Sequence, residues 1–279
     1  MADETDVFAE AELRLKQLLE QLAAAPVMVV AGVVGAGGIT GGKSRGDELW
    51  TAIFTLEVWR SEDAELQTRA LNVRKEVTDE ELNTLRTLIT PYNIVRIEAR
   101  VGIDPLSGSH QALLEAFIGS DESDTELNDC AKQLQEPVTY NDPILGIFTL
   151  DRRLDWFTAN SVWKDNLVSL RLSSTEPVEV QGALKTAHSL WQSQDTWHQR
   201  IRDYAVQALL PLKNDAWLDE DESEVTADQF KDRMTLEAIT VYPDGSFEFW
   251  HNDGDLFWGH SIQISGNLSE GPTNADIPG

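Results

Sequence analysis

The chain reads as an α+β protein of two domains, each an antiparallel sheet or small barrel with packed helices. Three observations lead there. Strand-like runs outnumber helical ones and meet at hairpin turns, without the regular strand–helix–strand alternation of a parallel sheet. The helical runs collect in blocks, with apolar residues at three-and-four spacing. An acidic stretch near the middle, with almost nothing apolar, separates two halves of ordinary domain size in a chain of 279 residues.

The elements follow in order. Residues 7–24 place Phe8, Leu13, Leu15, Leu18, Leu19 and Leu22 mostly on one broad face, which predicts an amphipathic helix within a leading segment 1–26. Pro26 stops it. Val27-Met28-Val29-Val30 opens a strand over 27–34, and a glycine loop, 35–42, leads to a second strand at 49–59 and a third at 66–73. Thr78-Asp79-Glu80-Glu81 has the capping-box pattern and predicts a helix to about residue 88. Residues 93–101 alternate and predict a strand with one dry face; a short helix is expected at 109–117. Residues 27–118 therefore form a β-rich domain with one or two helices, in an order that permits a small barrel of the oligonucleotide-binding type. Residues 119–137 are expected to be an acidic linker, closed by Glu136-Pro137.

The second domain, 138–279, starts with strands at 144–150 and 154–158 around the turn Asp151-Arg152-Arg153, then another at 167–172. Leu184, Ala187, Leu190 and Trp191 mark one helix; Trp197, Ile201, Tyr204, Ala205, Ala208 and Leu209 mark a longer one. An acidic loop covers 218–224, and Thr226 caps a short helix. Strands at 234–242 and 246–250 are joined by Pro243-Asp244-Gly245, Asn252-Asp253-Gly254-Asp255 makes a second turn, and 262–264 belongs to a final strand. Seven of the nine tryptophans fall in this half, which predicts a large aromatic core.

Charge narrows the partners. Forty-eight Asp and Glu against 22 Lys and Arg give a formal net charge of -26. Such a surface repels phosphate backbones and anionic lipids, so nucleic acid and membranes are not expected partners, and a basic protein is. One cysteine, Cys130, permits no internal disulfide, and its acidic neighbours oppose a nucleophilic thiolate. The uncharged stretch 22–39 approaches the length of a membrane span, but Pro26 and its glycines make it a strand running into a loop. The acidic start, Ala2-Asp3-Glu4, lacks the positive charge of a secretion signal, so the bacterial cytoplasm is the expected location.

Several segments of the second half resemble a known family. Asp142-Pro143-Ile144-Leu145-Gly146, Leu150-Asp151-Arg152-Arg153-Leu154-Asp155-Trp156-Phe157, Leu212-Lys213-Asn214 with Trp217, and Asp253 through Ile262 are similar, in order, to the bacterial domain of unknown function 2262. The resemblance implies a bacterial protein and brings no activity, cofactor or site.

Three motifs carry candidate chemistry. Asp253, Asp255 and His260 are the densest group of possible metal ligands, with oxygen donors suited to a hard cation. Gly37-Gly38-Ile39-Thr40-Gly41-Gly42-Lys43-Ser44 fits the phosphate-loop spacing, which would put Lys43 on the outer phosphates, but that chemistry needs a helix next and the following residues read as a strand. Asp219, Glu220, Asp221 and Glu222 form a run that could meet a basic partner. His188 and His198 lie on helices facing tryptophans and read as structural. Ser161, Ser189 and Ser261 lack the context of an activated nucleophile, and Asp151 with Asp155 is a pair of undetermined separation. No cofactor is expected. The leading expectation is a non-enzymatic binding or immunity-type protein acting through its acidic surface. The alternative is a metal-dependent enzyme with its site at the C-terminal β-turns, and a nucleotide-binding protein using Lys43 comes third.

Overall fold

The computed structural model describes residues 4–279 apart from Arg45, Asp63, Glu122 and Asp221, with side chains from residue 13 onward. The chain divides into two units, Met1–Glu136 and Pro137–Gly279, and each is α+β.

The first unit runs α1 (Glu4–Ala24), β1 (Val27–Val34), β2 (Thr40–Gly42), β3 (Trp50–Ser61), β4 (Leu71–Val77), α2 (Asp79–Leu88), β5 (Ile94–Ile103), β6 (His110–Ser120) and α3 (Thr125–Gln135). Its strand order is β1-β5-β6-β4-β3-β2, and β1 pairs with β3 as well, so five strands close on themselves. The β4–β6 pairing is parallel and the other pairings are antiparallel. With α2 between β4 and β5, this is the topology of the oligonucleotide-binding barrel, a scaffold that carries no function by itself. Closure buries Val30, Phe54, Leu56, Leu71, Val73 and Ile97 inside. At the seam the backbones approach closely. A Cβ on Gly32 would lie 2.8 Å from the Trp59 Cβ, so only glycine fits there.

Helix α2 starts where its sequence predicts. The Glu81 N–H donates to Thr78 Oγ1 at 3.2 Å, and the Thr78 N–H donates to Glu81 Oε2 at 2.9 Å. Two of the helix's unpaired donors are satisfied in this way, and Leu82 and Leu85 then face the barrel. We expect Thr78→Ala to cost about 1 kcal/mol of first-unit stability, measured as a lower denaturation midpoint at unchanged slope.

Four local expectations need correction. Residues 109–117 are not a helix: Gln111-Ala112-Leu113-Leu114 lies in β6, with β5 on one side and β4 on the other. Ladder pairing on both edges outweighs the helix propensity of Ala, Leu and Glu. Residues 119–137 are not a linker: they hold the end of β6 and helix α3, capped by Asp124, which accepts the Leu127 N–H. Leu127 and Ala131, four apart, are buried against Val33 and Ile94, and Arg60 bonds both Asp124 and Glu126. The strand expected at 66–73 starts at Leu71, since Gln67 makes only an isolated bridge to Trp59. On α1, Leu22 is buried while Leu13 and Leu15 are exposed; the Phe8 side chain lies outside the described residues.

The second unit runs β7 (Thr139–Asp142), β8 (Gly146–Asp151), β9 (Trp156–Trp163), β10 (Asn166–Leu172), α4 (Pro177–Gln192), α5 (Gln194–Ala216), α6 (Ala227–Arg233), β11 (Thr235–Val241), β12 (Ser246–Asn252), β13 (Ser261–Asn267) and β14 (Gly271–Asp276). The eight strands lie in the order β14-β13-β12-β11-β10-β9-β8-β7, two meanders joined at a parallel β10–β11 pair. A parallel pair needs a long crossover, and the three helices supply it. Leu170, Leu172, Ile239, Phe247, Phe249 and Ile264 share a core with Ala183, Leu184, Ala187, Ile201 and Ala205 of α4 and α5. Trp163 and Trp197 are buried edge-on to Phe249 and Phe247, at ring separations of 5.3 and 5.2 Å. The aromatic core is thus real, but Trp258 is not in it. Among the described residues no helix is long and apolar enough to cross a membrane.

Candidate functional site

One corner of the second unit combines unusual burial, charge and aromatic exposure. It begins on α5, where Ile201, Ala205, Leu209 and Lys213 are all buried at four-residue spacing. The last of these is a lysine in a core position, with its side chain 0% exposed. The Lys213 ammonium donates to the Trp217 carbonyl at 2.7 Å and to Glu222 Oε2. The other oxygen of Glu222 accepts from Arg233 Nη1 at 2.9 Å, and Arg233 Nε donates to the Gly254 carbonyl at 2.8 Å. Four segments are thereby clamped together: the end of α5, the acidic loop, the end of α6 and the β12–β13 turn. The Lys213 bond is the main reason the Glu222 carboxyl is held at about 2; Arg233 and the Asp219 N–H lower it further, against partial desolvation.

The clamp separates the acidic run into two kinds of residue. Glu222 points inward and its charge is consumed by Lys213 and Arg233. Asp219 and Glu220 are exposed, and Asp221 lies outside the described residues. Residues 214–230 contain seven carboxylates and neither Lys nor Arg, so the field around the loop is negative.

The β12–β13 turn is built on Asp253. Its carboxylate is 2% exposed and accepts three backbone N–H groups: Asp255 at 3.2 Å, Phe257 at 2.6 Å and Gly259 at 3.1 Å. Both oxygens of Asp253 thus organise the turn, while Asp255 is exposed and the His260 ring stacks edge-on to Trp217 at 5.5 Å. Among the described residues no group of three or more His, Cys, Asp or Glu is placed to hold a metal ion. The turn buries Leu256 and Phe257 and displays Trp258, 59% exposed, at φ +55°. A left-handed backbone is rare for a bulky residue and costs about 1–3 kcal/mol. The Trp258 ring rests on Trp217, with centroids 4.6 Å apart.

The other motifs fall elsewhere. Lys43 donates to the Glu48 carbonyl at 2.9 Å and sits over the Trp50 ring, and the glycine loop leads into strands β2 and β3. A phosphate loop would need a helix N-terminus there. Cys130 is half-buried in α3. His188 bonds Asp142 at 2.8 Å, tying α4 to the end of β7. Burial opposes the Asp142 carboxylate, but the Leu145 N–H, the His188 ring and the Ile144 N–H outweigh it and hold its pKa below the usual range. Ser161 donates to the Leu145 carbonyl, and Ser189 to that of Lys185. Asp151 accepts the Arg153 N–H, an ordinary turn contact.

Sequence reasoning missed Lys213, Arg233 and the Trp217–Trp258 pair. The signal for Lys213 was present, because it continues the i, i+4 row of core residues on α5. Nothing local marks Arg233, whose role depends on two loops distant in sequence.

Residues 142–277 match the family described as an uncharacterized protein conserved in bacteria, DUF2262. That match spans most of the second unit. Residues 15–134 match a separate domain of unknown function, DUF7021. A search of curated proteins returned no match. The clamp, the acidic loop and the Trp258 turn all lie within the stretch that matches DUF2262.

Proposed function

We propose that the protein is a non-enzymatic binding protein whose acidic surface engages a basic protein partner in the bacterial cytoplasm. An immunity protein that masks a basic toxin face is one concrete form. The observation that carries this reading is the clamp. Lys213 and Arg233 hold the acidic loop through Glu222 and leave Asp219 and Glu220 exposed on a fixed support. A loop tied down through Glu222 gives up less conformational entropy when it binds than an untied one, so its charges act at lower cost. The net charge of -26 adds long-range attraction for a cationic partner and repulsion of nucleic acid and anionic lipid.

The test is affinity capture from a bacterial lysate on tagged protein at low salt, followed by a salt gradient. A basic protein should elute as the salt rises, and it should be lost from a column of the Asp219→Asn, Glu220→Gln variant. Partners indifferent to both salt and substitution would count against the reading.

A further inference from the structure

The exposed aromatic step at the β12–β13 turn has a use that neither the core nor the turn requires. Trp258 contributes its ring to solvent at 59% exposure, while its neighbours Leu256 and Phe257 provide the buried contacts of the same turn. Its backbone is held at φ +55° by the Asp253 carboxylate, which fixes the N–H groups on either side, those of Phe257 and of Gly259, itself at φ +86°. A glycine or asparagine would sit there without strain. The tryptophan is instead propped on Trp217, the residue that starts the acidic loop.

We propose that Trp258, backed by Trp217 at the start of the acidic loop, acts with the exposed carboxylates of Asp219 and Glu220 on that loop and Asp255 on its own turn as the docking anchor for an arginine-bearing basic segment of a protein partner. The inference rests on the acidic-surface reading above and adds to it a place and a chemistry. A guanidinium lies flat on an indole face and donates bidentate hydrogen bonds to carboxylates; Trp258 offers the first and the exposed carboxylates of the loop and turn offer the second. Lysine offers a point charge without the planar fork, so arginine is the better occupant. Arg233 cannot fill the role from within: its Nε and Nη1 are committed to Gly254 and Glu222. Tryptophan and arginine are also both among the residue types enriched where binding energy concentrates. Residues 214–230 and 251–265 contain no Lys or Arg, and the two nearby cations, Lys213 and Arg233, are paired with Glu222, so the exposed carboxylates leave a negative excess. Beside Glu222 an open hollow of about 400 Å³, lined by Ser223, Glu224, Gln229, Asp232 and Arg233, leaves room for further side chains of the segment.

The test titrates the full chain with a synthetic arginine nonapeptide and with its lysine counterpart, at low and raised salt. Calorimetry gives the affinity, and the tryptophan indole N–H resonances give the place. The arginine peptide should bind more tightly than the lysine peptide and shift the Trp258 indole signal. Trp258→Ala should weaken arginine-peptide binding about tenfold, Trp258→Phe should retain most of it, and Glu98→Gln on the first unit should change nothing. A circular-dichroism melt of each variant confirms its fold. Binding that persists unchanged in Trp258→Ala overturns the anchor and leaves the acidic-surface reading standing. No binding of either peptide at low salt overturns both. Self-association that Trp258→Ala abolishes would give this surface to a second copy and overturn the proposal.

Discussion

Glu222→Ala will destabilise the second unit by about 3 kcal/mol, the lower end of the cost of stranding a buried charge, because Lys213 is fully buried while Glu222 itself is 23% exposed. The reason is what it leaves behind. Lys213 is fully buried on the core face of α5, and without Glu222 its ammonium keeps the Trp217 carbonyl alone. The reverse change behaves differently. Lys213→Met removes the charge that needs a partner, and Glu222 still has Arg233, so its cost should stay within about 1.5 kcal/mol. Combining Lys213→Met with Glu222→Gln should recover most of the loss. Denaturant titration of the three variants checks this, and a smaller loss in Glu222→Ala than in Lys213→Met would refute the clamp. The acid dependence has a definite sign. Glu222 titrates at about 2 when folded against 4.5 ordinarily, so its contribution is complete above pH 4.5 and disappears as pH falls through about 2.

The second large effect is at milder acidity and comes from His251 on β12. Its ring is 4% exposed and its Nδ1 has no hydrogen-bond partner among the described residues. Burial pushes its pKa down to about 3; the backbone of Ile262 opposes this, and His198 and Arg202 add to it. Folding therefore excludes a proton that the unfolded chain binds below its ordinary value of 6.5. Stability is full above pH 6.5 and declines toward pH 3, by up to about 1.4 kcal/mol per pH unit. His251→Phe, which extends the row of Phe247 and Phe249 on the same strand, should flatten this slope between pH 6.5 and 4.5, where Glu222 does not titrate. His198, also lowered by burial first and then by Arg202, would supply a residual slope of the same sign. A stability-against-pH curve of His251→Phe as steep as that of the parent protein would remove His251 from the account.

Much of the fold was legible because its signals are local. The capping box at Thr78, the Pro243-Asp244-Gly245 turn and the spacing along α5 each depend on residues within a turn or two of one another, and each stands where its chemistry places it. The readings that failed depended on distant partners. Gln111-Ala112-Leu113-Leu114 is helix-like alone and becomes strand because β4 and β5 offer two edges. Helix α3 shows few apolar residues because only one narrow face meets the sheet, with Leu127 and Ala131 buried and Cys130 and Leu134 partly buried beside them. In the candidate site, the acidic run was visible in the sequence, but its division into an inward Glu222 and outward Asp219 and Glu220 was not.

The sequence by itself determined the α+β class, most helix and strand positions, the strong negative charge and the DUF2262 relationship of the second half. Periodicity, capping residues and composition are properties of neighbouring residues or of the whole chain, and they survive without coordinates. Only the tertiary structure decided the closure of the first barrel, the burial of Lys213 and the display of Trp258. Each of these is set by segments far apart in sequence meeting in space, where a charge is either compensated or left exposed and a ring either covered or left bare.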